Sequence, residues 1–552
     1  MIRVAAAQFA VTNNVEENLQ TCLRMIKQAA GCSPDLIVLP EFVNHNSWYD
    51  DKDHCYRVSV ELDGHFLGQI AEAAQLANAY LVVNCTVRRA DNKVTGTSLM
   101  YAPSGELLGE NNKQVLVGHE NDFLEPANKQ GPIVDTPIGR LAMYSCMDGV
   151  INETPRCLSL RGAQVLCNSL NSFAIDEGDL HIPVRAAENK VFVVAANKVG
   201  PLIPEEVLQP ISEAINIPVN FLSGAGDSQI VAPDGTILAM AGKEEDVIWA
   251  DIDVEQANHK LRPDHSDIFS NRRPELYQRL GEDPAMQSIE DFEAPEDVTC
   301  AAISVTSLDE AVELINASST ASLICLPECF FLQQPKGTDE EVELSRAAVQ
   351  AISAACSPGQ LIATSIVTHN DNKLCHTGVI IASNGIVFEQ GQVHFSSRFH
   401  WSALSDEFNV YQSRFGTLAI TLEDDAIYPE TYRLIAMQGA QTVLAPLATQ
   451  EGWQTTTGLR ERASENRVNV IAADKNSANN QICVLQKEFT IMTPWQERQF
   501  DGLLSACECV RGGSENAITQ GVVHPKAAAN KVCSHRTHLI NNRPWRLLQP
   551  ML

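Results

Sequence analysis

The sequence repeats itself, and that constrains the fold more than any other feature. Leu-Pro-Glu41 returns as Leu-Pro-Glu328, Asp91-Asn-Lys93 as Asp371-Asn-Lys373, and Ala187-Glu-Asn-Lys190 as Ser464-Glu-Asn-Arg467. Arg272-Arg-Pro-Glu275 is echoed in Asn542-Arg-Pro-Trp545, so that the four pairs keep one order at offsets of about 270–290 residues. A period of that length is a whole domain rather than a solenoid unit. At 552 residues the chain also exceeds the roughly 250–300 that one hydrophobic core organises. We therefore expect two copies of one domain, residues 1–282 and 298–552. The stretch 283–297, rich in acids and proline, reads as the linker.

Within the first copy, apolar runs alternate with amphipathic ones. Ile2 to Gln8, Leu36 to Leu39, Tyr80 to Val87, Leu141 to Tyr144, Ala163 to Cys167 and Val191 to Ala196 read as strands. Val15 to Ala30, capped by Asn13 or Asn14, Leu67 to Asn78 and Glu153 to Gly162 read as helices. Hairpins turn at Asp91-Asn92-Lys93 and at Pro103-Ser104-Gly105. Strands this continuously apolar need cover on both faces, so the pattern predicts α/β layers: two sheets with helices outside them.

Three strands end in a reactive group: Glu41, Lys113 and Cys146. Singly, each has a plain explanation. A strand-end Glu or Lys is most often a solvated charge, and a free cysteine, here one of 16, is most often a small buried hydrophobe. As a set they offer chemistry. A carboxylate can take the thiol proton, and an ammonium can stabilise both the thiolate and the oxyanion formed when sulfur attacks a carbonyl or nitrile carbon. Composition narrows the partners. A formal net charge of -29 repels nucleic acid and anionic membrane surfaces alike. There is no signal-like N-terminus and no uncharged apolar run near the roughly 18 residues of a membrane span. The scattered cysteines form no paired C-x-x-C sets, which predicts a cytoplasmic protein with no structural metal and no cofactor.

The motifs around these three residues resemble the nitrilase superfamily, the carbon–nitrogen hydrolases with a Glu-Lys-Cys triad. Leu-Pro-Glu41 matches the segment of the base, Asn112-Lys113 that of the lysine, and Cys146-Met-Asp-Gly149 the nucleophile turn. The usual His-Leu after the lysine is replaced by Gln114-Val115-Leu116. Glu120, followed by Phe123-Leu124-Glu125-Pro126, fits the second glutamate, which orients the lysine. Arg185-Ala-Ala-Glu188-Asn189, Gly226-Asp-Ser228 and Arg273-Pro-Glu-Leu-Tyr277 continue the order. The resemblance implies two tandem α-β-β-α sandwiches. It also implies catalysis by Glu41, Lys113 and Cys146, an oxyanion held by Lys113 and the backbone N–H of Met147, and a small-molecule amide, ureido or nitrile substrate. Gly149, Val150 and Ile151 stand where carbamoyl amino-acid hydrolases often carry arginines, and Met147-Asp148 where nitrile-cleaving members have Trp-Glu, so amide hydrolysis is expected first. Two loops are expected to line the pocket. One follows Glu41 and carries His45 and Trp48; the other is Asn168 to Phe173, with Asn171.

The second copy is expected to be idle. Aligning Gly416 to Asp425 on Gly139 to Asp148 places Glu423 where Cys146 stands, and the lysine position falls on Gln392 or Val393. Since members of this superfamily pair two sandwiches, residues 298–552 are expected to supply an intrachain pseudo-dimer partner, with further homo-oligomers left open. The competing class is a catalytically idle small-molecule binding or scaffold protein. A stretch between Gly200 and Gly224, longer than the family's usual link, is a candidate lid.

Overall fold

A computed structural model of the chain describes residues 1–284, 293–486, 499–504 and 507–552. Of the expected linker, residues 285–292 lie outside the described residues. The first copy carries strands β1 (Ile2–Gln8), β2 (Leu36–Val38), β3 (Tyr80–Arg88), β4 (Val94–Tyr101), β5 (Leu107–Asn112) and β6 (Val134–Thr136). These are followed by β7 (Gly139–Ser145), β8 (Val165–Ser169), β9 (Phe192–Ala196), β10 (Gln229–Val231), β11 (Ile237–Met240) and β12 (Asp246–Ile252). They form two six-stranded sheets, ordered β12-β1-β2-β3-β4-β5 and β11-β10-β9-β8-β7-β6.

The two-residue period of the strands builds the layers. Val4, Leu36, Val38 and Val82 point from the first sheet to meet Leu141, Met143, Val165 and Val194 of the second. Their alternates Ile37, Leu81 and Val83 face outward onto Leu19, Met25 and Ile26 of helix Val15–Ala30 and onto Phe66 and Ile70 of helix His65–Ala77. On the opposite side Ala142, Tyr144 and Leu166 meet Leu158 and Ala186 of two further helices. The result is an α-β-β-α sandwich. Asn14 is the cap of the first helix, accepting from the N–H groups of Glu16 and Glu17 at 3.0 and 3.2 Å.

The second copy repeats this order with β13 (Val298–Ile303), β14 (Leu323–Cys325), β15 (Leu361–Asn370), β16 (Lys373–Ala382), β17 (Gly385–Gly391) and β18 (Tyr411–Ser413). Then come β19 (Gly416–Ile420), β20 (Thr442–Pro446), β21 (Asn469–Ala473), β22 (Gln481–Val484), β23 (Glu508–Arg511) and β24 (Ile518–Val523). Its sheets run β24-β13-β14-β15-β16-β17 and β23-β22-β21-β20-β19-β18, the same order strand for strand.

The compact units differ from the linear halves 1–282 and 298–552. One consists of Met1–His259, Phe489–Leu504 and Val532–Leu552; the other of Lys260–Glu488 and Ser505–Lys531. The reason lies in the tails that carry the Arg-Pro repeat. In the second unit Arg272 pairs with Glu430 at 3.0 Å, and the hydroxyl of buried Tyr277 lies 2.5 Å from His394 Nε2. In the first unit Cys533 and Leu539 pack with Val115, Met147, Val150 and Ile151, while Arg543 lies 3.6 Å from Glu153.

Candidate active site

Cys146 stands between the end of β7 and the helical turn Met147–Val150, at φ 49° and ψ -113°. For a residue with a Cβ this conformation stores strain of order 1–3 kcal/mol, held only because the surroundings over-determine it. Here they do. The Cys146 N–H donates to the Ser169 carbonyl at 3.1 Å and to Asn168 Oδ1 at 3.2 Å, both at the end of β8. Gly149 closes the turn, its N–H donating to the Cys146 carbonyl at 2.7 Å. A Cβ on Gly149 would stand 2.7 Å from the Tyr144 ring, which explains a glycine there. Asp148 ties the turn to the lysine's strand, its carboxylate accepting from the N–H groups of Gln114 at 3.0 Å and Val115 at 2.8 Å.

Lys113 follows β5 and is buried between two carboxylates. Its Nζ lies 2.9 Å from Glu41 Oε1 and 2.7 Å from Glu120 Oε1. Glu120 Oε2 accepts from the Val117 N–H at 2.9 Å, which fixes the carboxylate that orients the lysine. Burial disfavours the Lys113 ammonium, but Glu120 and then Glu41 outweigh it and hold the lysine charged, well above its ordinary range. Burial pushes the Glu41 carboxyl up, against the pull of Lys113. Burial, reinforced by Glu41, likewise pushes the Cys146 thiol well up, so the resting sulfur is protonated and needs a base. Glu41 and Lys113 both act on the thiol, the carboxylate pushing it up and the ammonium pulling it down.

The site opens into a cavity of about 190 Å³ lined by Cys146, Met147 and Glu120. Trp48 and Asn171 are on its wall, and Asn171 Nδ2 donates to Ser47 Oγ at 2.8 Å. His45 is not on the wall. It is buried, with Nδ1 2.7 Å from the Asn46 carbonyl and its ring stacked on Tyr49. The candidate lid is helix Glu205–Ile215, whose Ile211 and Ile215 line the cavity.

The wall residues that the motifs did not single out include His119, Glu177, Leu504 and Ser534, and the buried Lys198 also acts on the site. Lys198 Nζ donates to the carbonyl of Phe42 at 3.2 Å, pinning a residue that sits at φ 49° directly after Glu41. Burial draws the Lys198 amine down to about 7. Its charge also lowers Glu41, so Lys198→Met is expected to move the acid limb of kcat/KM to higher pH, by about half a unit to one unit. A pH–rate profile checks this; an unmoved limb would mean that the two groups do not communicate.

The profile of the carbon–nitrogen hydrolases matches residues 3–259 and again residues 304–497. The chain belongs to the carbon–nitrogen hydrolase family. Among curated proteins, this carbon–nitrogen hydrolase is 27% identical over 266 residues to a nitrilase of Pyrococcus abyssi, covering 48% of this chain and 94% of that one. It is 26% identical over 289 residues to omega-amidase NIT2 of Bos taurus, covering 50% of this chain and 96% of that one. Among solved structures, an amidase of the nitrilase superfamily from Nesterenkonia AN1 matches at 22% identity with a TM-score of 0.42. It covers 50% of this chain and 96% of that one.

The hydrolase's second copy preserves the frame of the site with other residues in the places of the lysine and the thiol. Asp425 accepts from the N–H groups of Val393 and His394 as Asp148 does from Gln114 and Val115, which settles Gln392 as the counterpart of Lys113 and Glu423 as that of Cys146. Glu328, the counterpart of Glu41, meets Arg398 at 2.9 Å, and Arg262 meets Glu423 at 3.0 Å. Two guanidinium groups thus occupy the carboxylates that would face a substrate. Glu423 opens its helical turn without a positive φ, so the strain at Cys146 has no counterpart where there is no thiol. Among the described residues no group of three or more His, Cys, Asp or Glu could hold a metal ion, and no helix is long and apolar enough to cross a membrane.

Proposed function

We propose that the protein hydrolyses the amide bond of a small molecule to a carboxylate and ammonia through a thioester on Cys146. The observation that carries this reading is the buried Glu41–Lys113–Glu120 arrangement beside a strained thiol that opens into a cavity. Glu41 takes the thiol proton as sulfur bonds to the carbonyl carbon. Lys113, held charged by Glu120, and the Met147 N–H receive the oxyanion. The C–N bond breaks, with Glu41 giving its proton to the leaving nitrogen. Water then attacks the thioester as Glu41 takes a proton again, and the thiol is restored. Because burial raises Glu41, activity is expected to fall on acidification at a pH above the ordinary glutamate value of about 4.3.

Ammonia release from a panel of primary amides, ureido compounds and nitriles, with Cys146→Ala as control, tests the reading. Amides turned over fastest support it; turnover of only ureido compounds or nitriles would replace it, and turnover surviving in Cys146→Ala would remove it.

The second copy is proposed to act as an intrachain partner subunit rather than a second enzyme. Its filled site and identical strand order support this. A fragment of residues 1–282 lacks Val532–Leu552, which belongs to the first compact unit, and would expose Val115, Val150 and Ile151. It is expected to be insoluble, unfolded or associated on size-exclusion chromatography. A stable, active monomer would count against the proposal.

A further inference from the structure

The outer wall of the cavity comes from two segments far apart in sequence. Helix Glu205–Ile215 supplies Ile211 and Ile215, and residues 499–504 pack on it. Phe500 meets Phe173 and Phe221 edge-on, with ring centroids 5.5 and 5.3 Å apart. The segment is held at two points. The Ile175 N–H donates to the Gly502 carbonyl at 2.8 Å, and the Leu504 N–H donates to both oxygens of the buried Asp176 carboxylate at 3.1 Å each. Leu504 thereby lines the same cavity as Cys146. The segment lies between β22 and β23, whose first-copy counterparts β10 and β11 are joined by the short turn 232–236. The second copy therefore carries an insertion that completes the first copy's pocket.

The wall's chemistry narrows the substrate. It is largely apolar, through Trp48, Phe173, Leu202 and Leu222 besides the isoleucines and Leu504. The titratable groups on it besides Cys146 are His119, Glu120, which pairs with Lys113, and Glu177; no arginine or lysine is among its lining residues. A carboxylate on the substrate's far end would be desolvated there against an apolar wall with acids on it and no arginine or lysine to pair with. The cavity, about 190 Å³, is of a size for a small acyl group.

We infer that Leu504 is a specificity-determining residue and that the site takes small primary amides with an apolar acyl chain, excluding amides that end in a carboxylate. The inference rests on the amide reading above. In the full-length protein, kcat/KM for pentanamide is expected to exceed that for glutaramate, its analogue with a terminal carboxylate, by a hundredfold or more. Leu504→Phe is expected to lower the ratio of kcat/KM for hexanamide to that for acetamide about tenfold, as a lost methylene-sized space does. Leu504→Ala is expected to raise the relative rate on 4-phenylbutanamide. If Leu504→Phe fails to fold, Leu504→Ala tests the same wall in the opposite direction. Chain-length ratios that move less than twofold in both variants would overturn the role of Leu504. Glutaramate turned over as well as pentanamide would overturn the substrate class while leaving amide hydrolysis standing. If only ureido compounds or nitriles react, the amide reading falls and the proposed substrate class falls with it; the same ratios, taken with alkyl analogues of the active class, then decide Leu504 alone.

Discussion

Cys146→Ala is expected to lower kcat/KM by about 10⁴-fold or more, because no other group can form the covalent bond to the acyl carbon. A more discriminating result comes from stability. Glycine in place of cysteine can adopt φ 49° and ψ -113° freely, since the mirror image of this conformation lies in the extended region that all residues favour. Cys146→Gly is therefore expected to be more stable than Cys146→Ala by about 1 kcal/mol in denaturant unfolding, against the general cost of glycine. The reverse order would mean that the turn carries no strain. The comparison with Glu423, where the backbone is relaxed, makes the same point within one chain: strain is kept where a thiol must be presented and is absent where it need not be.

The second large effect is at Lys113. Removing its ammonium leaves the buried Glu41 and the part-buried Glu120 with no cation between them, and breaking a buried ion pair in this way costs roughly 3–5 kcal/mol. Lys113→Met is thus expected to lose both activity and much of its stability. The triple substitution Lys113→Met with Glu41→Gln and Glu120→Gln removes the stranded charges and is expected to recover most of the stability but none of the activity. Urea unfolding alongside an ammonia assay separates the two losses. If Lys113→Met is as stable as the unsubstituted protein, the ammonium does not hold the two carboxylates together.

Much of this was legible in the sequence because the signals were local. Apolar strands with a period of two placed the sheets, and Leu-Pro-Glu41, Asn112-Lys113 and Cys146-Met-Asp-Gly149 marked three strand ends that the fold brings together. The duplication was legible as repeated motifs, and the strand orders match throughout. What was not legible is what depends on contacts between distant segments. Nothing in Arg272-Arg-Pro-Glu275 or Asn542-Arg-Pro-Trp545 says which sandwich each tail joins, so the compact units could not be drawn from the repeat alone. Leu504 and Ser534 carry no motif and reach the pocket only through tertiary packing. His45 has the right chemistry in the right loop, but the wall takes up that loop only two residues later, at Ser47, and the His45 ring stacks on Tyr49. Lys198 follows β9, where a strand-end lysine ordinarily reads as a solvated charge; burial and its bond to Phe42 give it a different place.

The central claim is that one thiol among 16, in one copy of two, becomes acylated. Mixing the full-length protein with excess pentanamide, quenching in acid within the first turnover and mapping the peptides by mass spectrometry tests it directly. The account predicts a pentanoyl group on Cys146 alone, approaching one per chain, with an equal burst of ammonia. An acyl group on another cysteine, or steady ammonia release with Cys146 never modified, would contradict it.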